Sequence, residues 1–529
     1  MLRKRIWKPI AGIVFLILLA AVGYFAYSLI KVDLLPAKYL FIILAVIVLL
    51  LCLCGAMLYL GINRKPSSLR RARRVIGVLL CVIVTVGCGY AGMVLAKVDR
   101  TKEAVTNTTY SVKAVITVYV ESGDPAAAIE DTASYRYGVL GGYEKENSDY
   151  AVSVINERTG AKVNVTEYDS ISEMAAAIRS GEIEAMALNS SYLYLLNDSE
   201  NFKGFSEELK AIGTIDVPTT VGSSDLSGGT AADPDTGKTT ASAEREKGGK
   251  DKDITVGEKI EKAKPVIFYL SANDTWTANF GASRSDVNII MVVNFETKQI
   301  LMINTPRDYY VINPAVGAYD KLTHCGILGI DNSMRALENL YDIDIDNYIV
   351  VNFTGFEQMV DAVGGVTIYN PSAFVHGKYY YPEGELTLNG TEALYYARER
   401  HSYGDGDLSR GRNHMRMIEA IIKKVMSSGT SIIANYSEVL ESMEGMFATD
   451  LTSGEISDLA KVFMKDMSGW EIKSYEVGAS STGLMPTALG GAEPLYVIWP
   501  NETQVQHAHD LVDKMLSGGR ITDDDITGW

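Results

Sequence analysis

Residues 393–413, "ALYYARERHSYGDGDLSRGRN", gather Arg398, Arg400, Arg410 and Arg412 in a chain whose formal net charge is −16. A guanidinium presents paired donors in a planar fork that matches phosphate oxygens. If "YYARERH" is a strand, Arg398 and Arg400 share a face and Glu399 points away. Two guanidiniums side by side repel unless an anion lies between them, and a diphosphate suits that gap. Asp407 falls where a helix N-cap would sit, with Arg410 three residues on and His414 four beyond that. Two readings stand for Asp407: a cap paired with Arg410, or a working member of an anion site. Other polar residues sit where hydrophobic strands end. Asp274 follows "PVIFYL", Arg284 and Asp286 border "VNIIMVVNF", and Arg307 and Asp308 adjoin "QILMINTP". Taken singly, each is a turn with a surface ion pair.

The elements that must position these residues begin near Lys262. The three hydrophobic runs just quoted read as strands, the last two joined by the turn "ETK". Helical spacing follows in "GILGIDNSMRALENLYD" and in "FTGFEQMVDAVGG", whose Gly pair suits a C-cap. "GVTIYN" is a further strand, and "HMRMIEAIIKKVM" an amphipathic helix with Met417, Ile418, Ile421 and Ile422 inward. The pattern predicts an α/β domain, a mixed central sheet flanked by helices, with its core over 261–425. Residues 426–529 complete it and end in a polar tail, "GGRITDDDITGW".

Upstream, 217–260 are rich in Gly, Ser, Thr and charge, with no aromatic between Phe205 and Phe268. Such a segment is a flexible linker that decouples its neighbours. Residues 110–216 read as a small accessory α/β domain. "KAVITVYV", "AKVNVTEY" and "IEAMALNSSYLYLL" are its strands, and "SISEMAAAIRSGE" a helix capped by Ser170. This run resembles half of a periplasmic solute-binding domain, although a spacer or interaction role is the plainer reading.

Residues 1–97 hold three uncharged apolar runs, Ala11 to Ile30, Tyr39 to Ile62 and Val75 to Ala96, each long enough to span hydrocarbon. Lys/Arg clusters precede the first run and fill the loop between the second and third. The positive-inside rule then predicts a multi-pass cell-membrane protein with a cytoplasmic N-terminus and everything after Ala96 extracellular. Residues 1–96 balance at +11, which leaves −27 for the exterior part. So acidic a domain is not a nucleic-acid binder, and an arginine cluster inside it is local. Cys325 is the lone exterior cysteine, so neither an internal disulfide nor a Cys-based zinc site is expected there. His324 adjoins it without a second histidine at ligand spacing. The tyrosines either stack on sugars or fill strands.

The order Asp274, "RSD", "PRD", Arg398-x-Arg400 and Asp407-x-x-Arg410 resembles the LytR-CpsA-Psr family of cell-wall enzymes. "RSDVNIIMVVN", "NTPRDYYV", "VNFTGFEQMVDAVGGV" and "LNGTEALYYARER" are similar to its capsule-associated branch. The likeness is close over 262–425 and looser to about 520, and the anchor and accessory domain resemble that branch's layout. It implies an extracellular transferase that passes a glycopolymer, capsule or teichoic acid, from polyprenyl diphosphate to peptidoglycan, with cell-wall synthesis proteins as neighbours. By the same resemblance Asp274 and Asp286 hold Mg2+ or Mn2+, and Arg284, Arg307, Arg398, Arg400 and Arg410 grip the diphosphate. Asp407 would orient Arg410 or help deprotonate the acceptor hydroxyl. His414 stands where the family commonly has Gln; it would still bond phosphate, with a charge that varies near neutral pH. Family members enclose the lipid tail in an apolar tunnel, for which Ile289, Met291, Val293, Met302 and Phe356 are candidates or else ordinary core. Two other functions are compatible with the same residues: a non-catalytic sensor of lipid-linked polymer, and a diphosphate-lipid hydrolase.

Overall fold

In a computed structural model of the chain, the described residues are 2–60, 68–107, 115–196, 199–217, 255–273, 283–402, 404, 406–427, 446–465 and 468–527. The linker residues 218–254 and the predicted metal ligand Asp274 lie outside them. Helices α1 (Leu2–Val32), α2 (Ala37–Tyr59) and α3 (Ser68–Asn107) begin the chain. They contain three stretches long and apolar enough to cross a membrane, Trp7–Val32, Ala37–Tyr59 and Arg71–Glu103. Leu18, Cys54, Leu58 and Cys81 form their buried seam, while Phe41, Leu49 and Ile83 are exposed outward. An apolar outer surface suits helices solvated by lipid, whose backbone groups are satisfied internally. The helix Ser453–Lys465 groups with this unit, where Lys102 Nζ donates to Ser457 Oγ at 3.0 Å.

The second unit takes in 108–422, 445–450 and 469–529. Its first part has strands β1 (Val115–Glu121), β2 (Arg136–Leu140), β3 (Asn164–Tyr168), β4 (Ala185–Asn189) and β5 (Leu209–Asp216) in the order β3-β2-β4-β1-β5. Helices α4 (Lys145–Thr159), α5 (Ile171–Arg179) and α6 (Leu193–Leu196) accompany them. Ser170 caps α5 by accepting from Glu173 N, as its position predicts. "IEAMALNSSYLYLL" is strand only over β4 and turns helical at α6. One face of this sheet is buried with Ile155 of α4. The other is buried with α5 and, from the later domain, Ile327 and Leu489. Ser199 and Asn201 also donate to Glu493, at 3.0 and 2.9 Å. The linker was expected to decouple the two domains; instead they share an apolar cluster. That cluster includes Leu140 and Leu188, at the carboxyl ends of parallel β2 and β4, where an open α/β sheet usually receives a ligand.

After α7 (Val256–Glu261) come β6 (Val266–Asn273), β7 (Ser285–Asn294), β8 (Gln299–Asn304), β9 (Tyr310–Asn313) and β10 (Ala318–Lys321). Then follow α8 (Leu322–Cys325), α9 (Ile330–Tyr341), β11 (Asn347–Asn352), α10 (Phe353–Ala362) and β12 (Val366–Asn370). The hairpin strands β13 (Phe374–His376) and β14 (Tyr379–Tyr381), then β15 (Gly384–Leu388), α11 (Gly390–Ala397) and α12 (Asp407–Ser427), lead to β16 (Phe447–Thr449), β17 (Glu471–Glu476), β18 (Ala479–Thr487) and β19 (Gly491–Pro500). The six-stranded sheet β16-β11-β6-β7-β8-β17 is mixed, parallel at β11–β6 and β8–β17 and antiparallel elsewhere. "GVTIYN" is a strand, but it forms a separate ribbon with β15.

Strand alternation divides the sheet into two faces. Tyr269, Ile290, Val292, Leu301 and Val350 pack on Leu337 of α9 and on Leu511 and Met515 of the helix Glu502–Leu516. The intervening residues Leu270, Met291, Ile349 and Val351 turn to the opposite face, beneath α10 and α12. The expected polar tail is anchored as well: Ile521 is buried and exchanges two 2.8 Å hydrogen bonds with the Gln299 side chain.

"YYARERH" is not a strand. Asn389 accepts from Glu392 N at 3.0 Å while Glu392 reaches back to Asn389 N at 3.1 Å, a capping box that starts α11. Ala393, Leu394, Tyr396 and Ala397 are buried at helical spacing, and Arg398 is the C-cap.

Candidate functional site

The face of the sheet under α10 and α12 is not filled. A cavity of about 560 Å³ lies there, with Leu270, Met291, Val351, Phe356, Met359 and Ile421 among its apolar walls. Protein interiors rarely leave voids larger than a water molecule, so an opening of this size has the dimensions of a ligand pocket. Of the five tunnel candidates, Met291 and Phe356 line it, whereas Ile289, Val293 and Met302 are packed core. All four inward residues expected on the amphipathic helix, Met417, Ile418, Ile421 and Ile422, face it.

Guanidiniums occupy the same cavity. Arg284, Arg307, Arg398, Arg400 and Arg410 line it together with Asp286 and His414. Arg307, just past β8, donates from Nη1 to Asp286 Oδ1 at 2.8 Å. Its Nε lies 3.8 Å from Asp308 and 3.7 Å from Asp407. Arg410 Nη2 pairs with Asp407 at 2.5 Å, and Lys321 Nζ with Asp308 at 3.1 Å. Three carboxylates thus hold three cations where water is scarce and electrostatic interactions are strong. Helix α12 reaches them because position 411 is glycine; any side chain there would collide with Asn304 at the end of β8. Arg412 turns to Glu476 on β17 at 2.7 Å and does not line the cavity.

The environment sets the charges. Burial opposes ionisation of Asp286, but Arg307, Arg410 and Arg284 overcome it and hold its carboxyl well below the usual range. For Asp407 burial prevails, and with Asp308 and Asp286 nearby its pKa is raised. Burial also lowers Arg410. His414 is driven down to about 3, first by burial and then by the Arg410 charge. The expected pH-sensitive charge at this position is therefore corrected: with its pKa held so far down, the ring is neutral at physiological pH, a dipolar hydrogen-bonding group.

Arg398 and Arg400 reach the cavity by a different route from the one predicted. Neither lies on a strand; they follow the end of α11, and Glu399 between them is buried. Glu399 accepts from the backbone N–H of His401 and Ser402 and pairs with His376, so it shapes the loop that carries both arginines. Arg398 sits over the Phe353 ring at 4.5 Å. Asp308, Lys321 and His376 were not assigned roles from sequence. Asp308 adjoins Arg307 and carried a signal, whereas His376 is distant in the chain and carried none.

Asp286 is the only carboxylate lining the cavity among the described residues. One carboxylate beside a cluster of guanidiniums fits a hard divalent ion only if its remaining ligands come from a bound anion and water. No group of three His, Cys, Asp or Glu among the described residues forms a closed protein cage.

These features coincide with a known family. The LytR_cpsA_psr family profile matches residues 234–488. A polyisoprenyl-teichoic acid–peptidoglycan teichoic acid transferase TagU of Enterococcus faecalis (strain ATCC 700802 / V583) is 34% identical over 178 residues, 34% of this chain and 58% of that protein. The TagU of Bacillus cereus (strain ATCC 14579) is 32% identical over 213 residues, 40% of this chain and 69% of that protein. Among solved structures, B. subtilis TagV matches at 26% identity and a TM-score of 0.41, covering 48% of this chain and 98% of that one. TagT bound to LI-WTA matches at 26% identity and 0.40, covering 48% and 92%. The chain belongs to the LytR-CpsA-Psr family. It spans 58% and 69% of the length of the two TagU relatives.

Proposed function

We propose that the protein is a membrane-anchored phosphotransferase that moves a polyprenyl-diphosphate-linked glycopolymer, capsule or teichoic acid, onto peptidoglycan on the outer side of the membrane. One observation carries this reading: a single cavity combines apolar walls with five arginines and one carboxylate. A lipid tail needs the first and a diphosphate the second. The TagU relatives, named as teichoic acid transferases, lend the acceptor and the reaction class.

In this reaction an acceptor hydroxyl attacks the phosphorus that bears the glycan. The new phosphodiester forms as the P–O bond to the polyprenyl phosphate breaks, the hydroxyl proton passes to water, and the lipid phosphate leaves with the added negative charge. Such transfers pass through loose transition states, so positioning and charge stabilisation outweigh base strength. Arg307 and Arg410, fixed by carboxylates, meet that developing charge without reorganising. Asp407 does not line the cavity, so it positions Arg410 and Arg307 rather than taking the hydroxyl proton. His414 offers a neutral hydrogen bond. A magnesium or manganese ion on Asp286, with Asp274 as second ligand, would neutralise diphosphate oxygens.

The test is to reconstitute the full chain with a polyprenyl diphosphate-linked glycan, peptidoglycan and magnesium. Covalent glycan–peptidoglycan product is expected, and it should collapse in Asp286→Ala and Arg398→Ala. Robust transfer by both variants would overturn the site, and tight binding without turnover would make the protein a sensor.

A further inference from the structure

The cavity's exposed lining residues are Arg398, Arg400 and His401, which mark its mouth. A fourth lining residue, His376, belongs to the β13–β14 hairpin rather than to the sheet. The hairpin is tied to the arginine loop through Glu399, which holds His376 Nδ1 and leaves Nε2 as the nitrogen available to a ligand. Beside His376 stand Tyr395 of α11, at a ring separation of 5.6 Å and 76°, and Tyr379, 5.0 Å from Tyr395 at 59°. All three rings are only partly buried. The turn is fitted to this contact: Gly377 has φ +59°, and a Cβ there would lie 2.9 Å from the Tyr395 ring.

Rings set at steep angles make a concave corner with apolar faces and polar rims. The rims carry two phenol hydroxyls, the His376 nitrogen and the Lys378 ammonium, 5.1 Å over the Tyr379 ring. A sugar ring has the matching surface, C–H faces that pack on aromatics and hydroxyl edges that need polar partners. An alkyl chain would leave those rims unpaired. We propose that His376, Tyr379 and Tyr395 form a glycan shelf that holds the first sugar ring attached to the diphosphate. This rests on the diphosphate reading of the arginines, since a sugar esterified to a phosphate between Arg398 and Arg400 must leave past the mouth. The shelf confers preference for a glycosylated lipid over a bare one.

The test uses the full chain in lipid nanodiscs and two calorimetric probes, a polyprenyl diphosphate and the same lipid carrying one N-acetylhexosamine. The wild type should bind the glycosylated probe about tenfold more tightly, a difference of about 1.4 kcal/mol. Tyr379→Ala should erase that preference while leaving affinity for the bare lipid unchanged, and Tyr379→Trp should retain it. Equal binding of both probes by the wild type, or an undiminished preference in Tyr379→Ala, overturns the shelf and leaves the clamp standing. Failure of the wild type to bind either probe overturns the clamp, and the shelf with it.

Discussion

Arg307 and Arg410 line the same cavity as Arg398 and Arg400 but differ from them in burial and in partners. The first pair is 8% exposed at each residue and enclosed by Asp286, Asp308 and Asp407. The second pair is exposed, on a loop anchored by the buried Glu399 and, for Arg398, by the Phe353 ring. In the first case desolvation is incurred when the chain folds, so the charges stand oriented before any ligand arrives. In the second the cations remain hydrated and adjust to what enters. Fixed charge deep in the cavity and adaptable charge at its mouth suit a substrate that threads a long lipid past the site.

The comparison breaks most visibly if the deep pair is removed. Arg410→Ala removes a buried cation, leaves the largely enclosed Asp407 without its nearest partner, and should cost about 3–5 kcal/mol in denaturant unfolding, along with all transfer activity. Arg398→Ala, by contrast, should leave thermal unfolding where it was and lower transfer about 10²–10³-fold. An equal loss of stability in the two variants would erase the distinction.

His414 sharpens the same contrast through pH. Its folded pKa of about 3 lies below the ordinary 6.5, so the neutral ring favours the folded state. That contribution is complete above pH 6.5 and is lost as pH falls towards 3, by at most about 1.4 kcal/mol per unit. The wild type should therefore lose stability relative to His414→Gln on acidification over that window, with Arg410, Arg307 and Asp286 common to both. A stability difference that stays flat from pH 7 to 4 would contradict the neutral ring. Asn389→Ala is the mildest change: it removes the cap of α11 and should cost about 1 kcal/mol, read as a lower midpoint in denaturant.

Strands β6, β7 and β8 and helices α9, α10 and α12 were legible in the sequence because hydrophobic period and turn residues agreed, whereas β11, β16 and β17 were not read as strands. The error at "YYARERH" came from reading charge alternation as a strand while passing over Asn389 and Glu392, whose capping box lies immediately upstream. Arg398 and Arg400 still reach one cavity, because a helix end and a loop bent by Glu399 bring them there. Arg284, Asp286, Arg307, Arg410 and His414 meet as their motif order suggested. Their fixation by Asp308 and Lys321 depends on folding β10 back beside β9, which spacing along the chain does not report. The docking of the accessory domain was invisible for a similar reason. Ile327 and Leu489 are single apolar residues far apart in sequence, and only the fold makes them one surface.

The proposed function stands or falls on whether the arginines grip a lipid diphosphate. Its most direct measurement is the affinity of the full chain in nanodiscs for a bare polyprenyl diphosphate, wild type against the Arg398→Ala, Arg400→Ala double variant. Binding should weaken at least about 100-fold in the variant, with unfolding unchanged. Equal affinity in the two proteins would contradict it.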